Sequence, residues 1–139
     1  MKNGGVLVVQ YNTLSNLMAD QFGPYPFKIS NDRVTDENAK VNFINPKDPI
    51  LNSPNKITDK DFEGWIQERG LYFISNVDSN YRKIFTMNDV GEKPLDGSLI
   101  VAKYGQGKFV YTSLSFFREL PAGVPGAARL FVNLISKNE

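Results

Sequence analysis

The 139-residue sequence contains no cysteine and no histidine, and these two absences exclude whole classes of function. Without cysteine, the chain can form no disulfide, no thiolate nucleophile and no cysteine-bound zinc or iron–sulfur centre. Without histidine, it has no Ser-His-Asp relay, no imidazole base and no histidine-ligated metal. We therefore expect a protein that is not an enzyme, with no catalytic residues, no metal site and no cofactor. Any catalysis would rest on Asp, Glu, Lys, Tyr, Ser or Thr.

The chain also lacks an excess of either charge. Its 16 basic and 15 acidic residues give a formal net charge of +1, and the sequence has no run of like charges. A surface that binds nucleic acid needs clustered positive charge, so we expect no nucleic-acid partner.

Long apolar segments are missing as well. No stretch approaches the roughly 20 apolar residues that cross a bilayer, so we expect no membrane span. The apolar run at residues 5–9 follows a single basic residue, Lys2, and is too short for a signal peptide. This pattern predicts a cytoplasmic location for the chain as it stands. A periplasmic or extracellular location is expected instead if the chain belongs to a longer secreted parent.

The remaining composition is typical of a soluble globular domain, with 41% hydrophobic and 22% charged residues. We expect residues 1–139 to form a single α/β domain. A chain of this length buries enough surface to be stable without a disulfide.

The clearest local pattern lies in residues 98–135. Residues 98–103 and 108–114 are apolar segments, the second rich in β-branched and aromatic residues, and the glycine-containing turn at residues 104–107 separates them. This arrangement predicts a β-hairpin. The two glycines of the turn are a weak phosphate-binding signal without a strand–GxGxxG–helix context.

A helix is predicted to follow this hairpin after a break at residues 121–126. Pro125 suits the first turn of a helix, because a backbone N–H at that position would have no partner within the helix. Five apolar residues then share one helical face at i, i+3, i+4 spacing: Ala127, Leu130, Phe131, Leu134 and Ile135. Arg129, Asn133 and Lys137 fall on the opposite face.

Residues 6–9 form a continuous apolar run of valine and leucine. Such a run predicts a parallel strand that is buried on both faces of a sheet. A buried parallel strand needs neighbours and crossover helices, so we expect the first part of the domain to lie upstream of this chain.

The segment between these two regions gives weaker signals. We expect strands at 27–30, 41–44, 71–75 and 83–87, a polar loop at 31–40, a helical turn at 14–18 and a short helix at 59–65. Taken together, the patterns predict an α/β fold with a mainly parallel sheet, helices on its faces and a C-terminal hairpin followed by a helix.

Three stretches carry a family resemblance: residues 4–13 (GGVLVVQYNT), residues 24–73 and residues 97–135. Together they resemble the C-terminal region of the long LmbE-related (PIG-L family) deacetylases of Bacteroidetes-type bacteria. In that family a zinc-dependent deacetylase domain comes first, and the last domain looks like a class I glutamine amidotransferase-like, flavodoxin-related domain. The resemblance implies that fold for this chain, without its N-terminal part. Residues 48–51, followed by residues 61–63, also look like a segment of trehalose-utilisation-type proteins of that superfamily.

The sequence departs from that family in its chemistry. The AHPDD-like zinc motif of the deacetylase is absent, and so are the cysteine nucleophile and the histidine of the amidotransferases. In the amidotransferase fold the nucleophile would follow a strand such as residues 6–9, where this chain has Tyr11, Asn12 and Thr13. The resemblance therefore implies a non-catalytic accessory domain.

Two groups of candidate binding residues follow from position along the sheet. Tyr11, Asn12 and Thr13 stand at the carboxyl end of a presumed parallel strand, where open α/β sheets bind their ligands. Arg118 and Glu119 precede the last helix and could line the same cleft. The alternatives are a polar turn at residues 11–13 that caps a helix, and an Arg–Glu pair that fixes its loop through backbone hydrogen bonds.

Other candidates come from residue type alone. Arg33, with Asp36 and Glu37, forms a charged loop that could bind a sugar or supply an acid and a base. The alternative is a solvated loop with a weak ion pair. Trp65 could stack on a sugar ring near Glu68, although a single tryptophan is more often a residue at the edge of the core.

Three functional hypotheses remain open at this point. The first, which we favour, is a non-catalytic accessory or binding module that contacts carbohydrate or glycoconjugate. The second is a carboxylate-based hydrolase that uses Asp36, Glu37 and Glu68. The third is a purely structural or oligomerisation module. Because an exposed edge at residues 6–9 would pair with another chain, we expect a homodimer, or the missing upstream domain, as the partner.

Overall fold

The computed structural model describes residues 1–13 and 22–138. Its centre is a four-stranded mixed sheet in the order β1 (Val6–Gln10), β10 (Gly107–Thr112), β9 (Leu99–Tyr104) and β7 (Arg82–Lys83). Only β1 and β10 run parallel; the β10–β9 and β9–β7 pairs are antiparallel. In the part of the chain described, no helix is long and apolar enough to cross a membrane.

The C-terminal hairpin is confirmed. Strands β9 and β10 pair over six residues, from Gly107 opposite Tyr104 to Thr112 opposite Leu99. Gly105 has a φ of 60° in the connecting turn, a conformation that glycine adopts without a steric penalty. All six residues of β10 are buried, and the strand lies between β1 and β9 in the sheet.

Helix α2 (Pro125–Ile135) is also confirmed, and it packs on one face of the sheet. Leu130 and Leu134 are buried in a core cluster that contains Val101 and Val110 of the hairpin. The predicted apolar face is only partly correct, since Ile135 is 51% exposed and the polar Asn133 is fully buried. The reason is that α2 is covered on a second side by the 3₁₀ turns Pro49–Leu51 and Asp59–Phe62.

The opposite face of the sheet is covered by aromatic side chains and carries no helix among the residues described. Phe109 and Tyr111 of β10 form a second core cluster with Phe27 and Tyr81. The rings of Phe27 and Tyr81 lie 5.7 Å apart at nearly a right angle, the edge-to-face arrangement that aromatic pairs favour.

The middle of the chain forms three two-stranded antiparallel pieces. These are β2 (Lys28–Ile29) with β6 (Ile74–Ser75), β3 (Arg33–Val34) with β5 (Gly70–Leu71), and β4 (Asn42–Phe43) with β8 (Phe85–Thr86). Each strand has two residues, so these pieces hold few ladder hydrogen bonds.

The predicted fold class is therefore wrong. A mainly parallel sheet with helices on its faces requires a crossover helix between successive strands. The described part of this chain has only two α-helices, the four-residue α1 (Phe116–Glu119) and α2, and both follow the last strand. Strands β2 to β8 are instead joined by turns and loops, which allow antiparallel pairing.

Several local predictions are also corrected. Strand β1 is not buried on both faces: Leu7 is 42% exposed, and β10 is its one sheet neighbour within the residues described. The predicted strand at 71–75 is split into β5 and β6, and the one at 83–87 lies across β7 and β8. The helix expected at 59–65 is the 3₁₀ turn Asp59–Phe62, and strand β3 forms inside the expected loop at 31–40. The helical turn expected at 14–18 lies outside the described residues.

Candidate binding site at the carboxyl end of the sheet

Two backbone segments meet where β1 and β10 end. The Tyr11 N–H donates to the Thr112 carbonyl over 2.8 Å and extends the parallel ladder by one residue. The segment around Arg69 runs beside the exit from β10, where the Ser115 N–H donates to the Arg69 carbonyl over 3.1 Å. Gly70 permits this close approach, because a Cβ there would collide with the Ser113 carbonyl. Residues that are far apart in sequence therefore meet at one edge.

The Tyr11 ring is the centre of this meeting point. It packs edge-on against Phe117 at 4.5 Å and against Tyr72 at 5.5 Å between ring centroids. Phe117 is 47% exposed, and Tyr11 and Tyr72 are half-buried. The three rings form a partly exposed aromatic surface.

A carboxylate and a guanidinium adjoin these rings. The Tyr11 hydroxyl donates to Glu68 Oε1 over 2.8 Å, and Arg118 Nε lies 3.5 Å from the same oxygen. The Arg118 guanidinium also stacks over the Phe117 ring at 4.8 Å. Burial, together with the hydrogen bond to Glu68, raises the pKa of Tyr11, so its hydroxyl stays protonated and acts as a donor. We call Tyr11, Glu68, Tyr72, Phe117 and Arg118 the strand-end cluster.

The strand-end cluster keeps polar atoms available for a ligand. Glu68 Oε2 and both terminal nitrogens of Arg118 have no hydrogen-bond partner among residues 1–13 and 22–138. The Glu68 side chain is 13% exposed and that of Arg118 is 37% exposed. The site therefore offers an acceptor, several donors and an apolar ring side by side.

The backbone around the cluster is held in an unusual conformation. Tyr11, Gln67 and Tyr72 have φ values of 51°, 65° and 69°. Non-glycine residues with positive φ are uncommon, each is costly, and such residues gather at binding and catalytic sites. Tyr11 and Tyr72 belong to the cluster, and Gln67 directly precedes Glu68.

Glu119 lies behind the cluster and has no exposed surface. Its carboxylate accepts the Ile66 N–H over 3.0 Å and the Ser115 hydroxyl over 3.3 Å. Burial raises the pKa of Glu119, and these two donors and the nearby arginines oppose that rise only in part. Glu119 thus ties segment 66–69 to helix α1 and holds the cluster in place.

The structure brings together three of the predicted site residues, Tyr11, Glu68 and Arg118, with Glu119 beside them. Asn12 lies at the margin, and its side chain donates to the Gln10 carbonyl over 3.3 Å. Thr13 is exposed and has no side-chain hydrogen bond to any described residue.

Trp65 and Arg33 lie elsewhere. Trp65 is 3% exposed, and its Nε1 donates to the Asp61 carbonyl over 2.9 Å, so the ring belongs to the core and cannot stack on a ligand from solvent. Arg33 is half-exposed in β3 and its Nη1 lies 4.0 Å from Glu92, an exposed pair of the kind that contributes little.

The carboxylates proposed for a hydrolase do not share hydrogen bonds. Asp36 accepts the Asn38 N–H and stabilises its own turn, whereas Glu68 bonds to Tyr11. No described group of three or more acidic residues is arranged to hold a metal ion.

Sequence reasoning missed the contributions of Tyr72 and Phe117. Tyr72 lies in the middle of a predicted strand, and no pattern signals that its backbone turns there. Phe117 stands beside Arg118 in a segment already marked as a candidate. An exposed phenylalanine next to an arginine could have indicated a surface that stacks on a ligand.

No family model matches the sequence, and no curated protein matches it either. Among solved structures, the chain is similar to the cytoplasmic protein STM3548 from Salmonella typhimurium, with 18% identity and a TM-score of 0.55. The match covers 96% of this chain and 55% of that chain, so this chain spans about half the length of the protein it resembles. At this level of identity the likeness shows a shared fold alone.

Proposed function

We propose that this chain is a non-catalytic binding module that takes a carbohydrate at the strand-end cluster. In this proposal it serves as an accessory domain of an LmbE-related (PIG-L type) N-acetylglucosaminyl deacetylase-like protein. The observation that carries the proposal is the juxtaposition of a 47% exposed Phe117 ring with the unused polar atoms of Glu68 and Arg118.

The chemistry of a sugar matches this surface. A pyranose has a face of C–H groups that packs on an aromatic ring, and a rim of hydroxyls that both donate and accept hydrogen bonds. Phe117 offers the ring, Glu68 Oε2 accepts, and the terminal nitrogens of Arg118 donate. The geometry suits one sugar unit at the surface better than a long chain buried in a groove.

Two observations favour binding over catalysis. Glu119, whose raised pKa would suit a general acid, has no exposed surface for a substrate to reach. Glu68 Oε1 already accepts from Tyr11 and lies beside Arg118, which holds the carboxylate in a fixed position.

A titration tests the proposal directly. Isotope-labelled protein would be titrated with N-acetylglucosamine, glucosamine and a glycan panel, and the amide signals of Tyr11, Tyr72 and Phe117 followed. We expect saturable shifts at these amides. Phe117→Ala should bind about two- to twelvefold more weakly, which corresponds to the roughly 0.5–1.5 kcal/mol that an aromatic contact contributes. Val90→Ala, at a residue that is 94% exposed, serves as the control and should bind like the natural protein. If no glycan shifts these amides, the carbohydrate proposal is wrong and the structural role remains.

The edge of β1 supports a second candidate, a module that pairs with another polypeptide. Leu7 is 42% exposed on a strand of valine and leucine that has β10 on one side alone among the residues described. Edge strands of this composition pair with further strands, so we propose a homodimer through β1, or the upstream segment of a longer parent in the same place.

Light scattering after size exclusion distinguishes these states. Leu7→Lys should dissociate a β1 dimer, while Val132→Lys, at an equally exposed residue of α2, should leave it intact. A soluble monomer of the natural chain across micromolar concentrations would contradict the homodimer and leave the upstream segment as the partner of this edge.

We also propose a cytoplasmic location for the chain as it stands, with a periplasmic or extracellular one if its parent is secreted. The support is the similarity in fold to a protein described as cytoplasmic.

A further inference from the structure

Arg69 carries a buried charge for which the described residues provide no ion pair. The residue is 4% exposed. Its Nε and Nη2 donate to the Ala39 carbonyl over 3.0 and 2.9 Å, and its Nη1 donates to the Phe62 carbonyl over 2.7 Å. Both acceptors are neutral, and no carboxylate among residues 1–13 and 22–138 lies within 4.0 Å of the guanidinium.

This arrangement leaves part of the guanidinium unused. A guanidinium has five N–H donors, and three hydrogen bonds account for three of them. Buried charges are normally paired, because removing a charge from water is costly. The rings of Phe62 and Trp65 lie 5.6 and 5.5 Å from the guanidinium carbon and offset only part of that cost.

The acidic side chains around Arg69 influence its pKa without forming an ion pair with it. Burial lowers the pKa of Arg69 to about 10, and the fields of Asp36, Glu119 and Glu37 oppose that fall. Asp36 and Glu119 are themselves engaged with other donors, Asn38 and Ile66. The guanidinium therefore remains charged at neutral pH without a direct counter-ion.

A cavity of about 270 Å³ opens beside Arg69. Its buried walls are Ala39, Val41 and Phe62, and its exposed walls carry Asn38 and Lys40 with Asp59 and Glu63. This space is slightly smaller than a site for a drug-sized molecule, so it suits a small ligand. Since the Glu68 side chain reaches Tyr11 and the Arg69 side chain reaches Ala39, this cavity is separate from the strand-end cluster.

We infer that this cavity binds a small carboxylate-bearing molecule, whose carboxylate pairs with the two unused N–H groups of Arg69. A guanidinium N–H donates to a carboxylate oxygen through a charge-assisted hydrogen bond, which is stronger than its bonds to neutral carbonyls. A multiply charged anion such as phosphate is disfavoured, because Asp59 and Glu63 balance the charges of Lys40 and Arg69 around the cavity. The apolar wall then accommodates the hydrocarbon part of the ligand.

Trp65, the only tryptophan of the sequence, provides the readout because it packs on Arg69. The natural protein would be titrated with acetate, propionate and benzoate, with acetamide and phosphate as matched probes at constant ionic strength. We expect a saturable change in Trp65 emission, and shifts of the Ala39 amide and the Arg69 Nε–H signals, with the carboxylates alone.

Substitutions at the exposed wall keep the test separate from folding, because Arg69 itself supports the backbone. Lys40→Glu should weaken the carboxylate affinity about fivefold, as expected for exposed charges. Lys47→Glu makes the same charge change at an exposed residue outside the cavity lining and should leave the affinity unchanged. The inference is overturned if the carboxylates cause no change by either readout, if phosphate acts as they do, or if the two lysine variants behave alike.

Discussion

The C-terminal unit, from β9 to α2, and the middle of the chain, from β2 to β8, are stabilised in different ways. The hairpin satisfies its backbone through a six-residue ladder, and its buried side chains fill both core clusters. The middle has strands of two residues, so most of its backbone groups need other partners. The unit with regular strands depends mainly on apolar burial, and the other depends on specific polar side chains.

Three side chains that bond to the backbone of the middle show how this works. The Asp89 carboxylate accepts three hydrogen bonds, from the backbone N–H groups of Thr35 and Asp36 and from the Thr35 hydroxyl, at 2.8–3.0 Å. Asp48 is 2% exposed and accepts from both the Ile50 N–H and Arg82. Asn133 of α2 donates to the Ile50 and Asn55 carbonyls and accepts the Asn55 N–H. In the middle, polar side chains thus supply backbone hydrogen-bond partners that a neighbouring strand would otherwise provide.

The largest effect should come from the apolar core of the hairpin. Phe109→Ala removes a fully buried ring from the second cluster and should lower the free energy of unfolding by about 3–5 kcal/mol. Urea unfolding followed by Trp65 fluorescence measures this change. Val90→Ala, at an almost fully exposed apolar residue, should change it by less than about 0.5 kcal/mol. Equal effects for the two variants would contradict the role given to the hairpin core.

A polar substitution at the junction of the two regions should come next. Asn133→Ala leaves the Ile50 carbonyl and the Asn55 N–H without partners and should cost about 2–3 kcal/mol. The same unfolding measurement applies, with the exposed Asn3→Ala as the matched control. A loss as small as that of the control would show that apolar packing alone holds α2 against the middle.

A smaller, pH-dependent effect is expected where Asp89 accepts hydrogen bonds from Thr35 and Asp36 of the middle. Burial alone would raise the pKa of Asp89, but the donors at Asp36 and Thr35 outweigh it and hold the pKa below 3.8. The carboxylate therefore stabilises the fold above that pH, and the contribution disappears as the pH falls through the lowered pKa. Asp89→Asn should cost about 1–2 kcal/mol at pH 7 and progressively less in acid. A cost that does not vary between pH 7 and acid would contradict this assignment.

The smallest effect should have the opposite pH dependence and is expected within the C-terminal unit, at Glu119. Because burial raises the pKa of Glu119, the protonated form stabilises the fold below 4.5, and this contribution is lost as the pH rises through the raised pKa. Glu119→Gln removes that titration while it keeps an oxygen for the Ile66 N–H. The variant should gain stability relative to the natural protein as the pH increases from 4 to 7. A relative loss over the same range would show that Arg69 and Arg118 dominate the environment of Glu119.

The same contrast explains which parts of the fold the sequence could predict. Residues 98–135 contain long segments with regular period, so the hairpin and α2 were predictable. The two-residue strands of the middle have no period to detect, and the break at Tyr72 depends on contacts with distant residues. The valine-rich β1 has the composition of a buried parallel strand, yet within residues 1–13 and 22–138 it pairs with β10 alone, because composition does not specify how many neighbours a strand has.

The candidate site was predictable in part for a similar reason. Tyr11 was identified because it follows a strand, and the carboxyl ends of strands meet at one edge of a sheet. Glu68 and Arg118 lie 57 and 50 residues away from their partners in the cluster, so only the fold brings them together. For Trp65 the sequence left two interpretations open, a ring that stacks on a sugar and a ring at the edge of the core, because residue type alone cannot distinguish them. The structure buries the ring.

Helix α1 has one further consequence for the strand-end cluster. Phe116 is fully buried with its ring 5.4 Å from Phe131, whereas the next residue, Phe117, projects to the surface beside Tyr11. Glu119, one turn later, is again fully buried. The exposed residues of this turn are thus anchored at both ends in the core, so we expect the surface to keep one shape whether or not the proposed ligand is bound. A preorganised surface of this kind loses little conformational entropy on binding, and even a small ligand can then be held with few contacts.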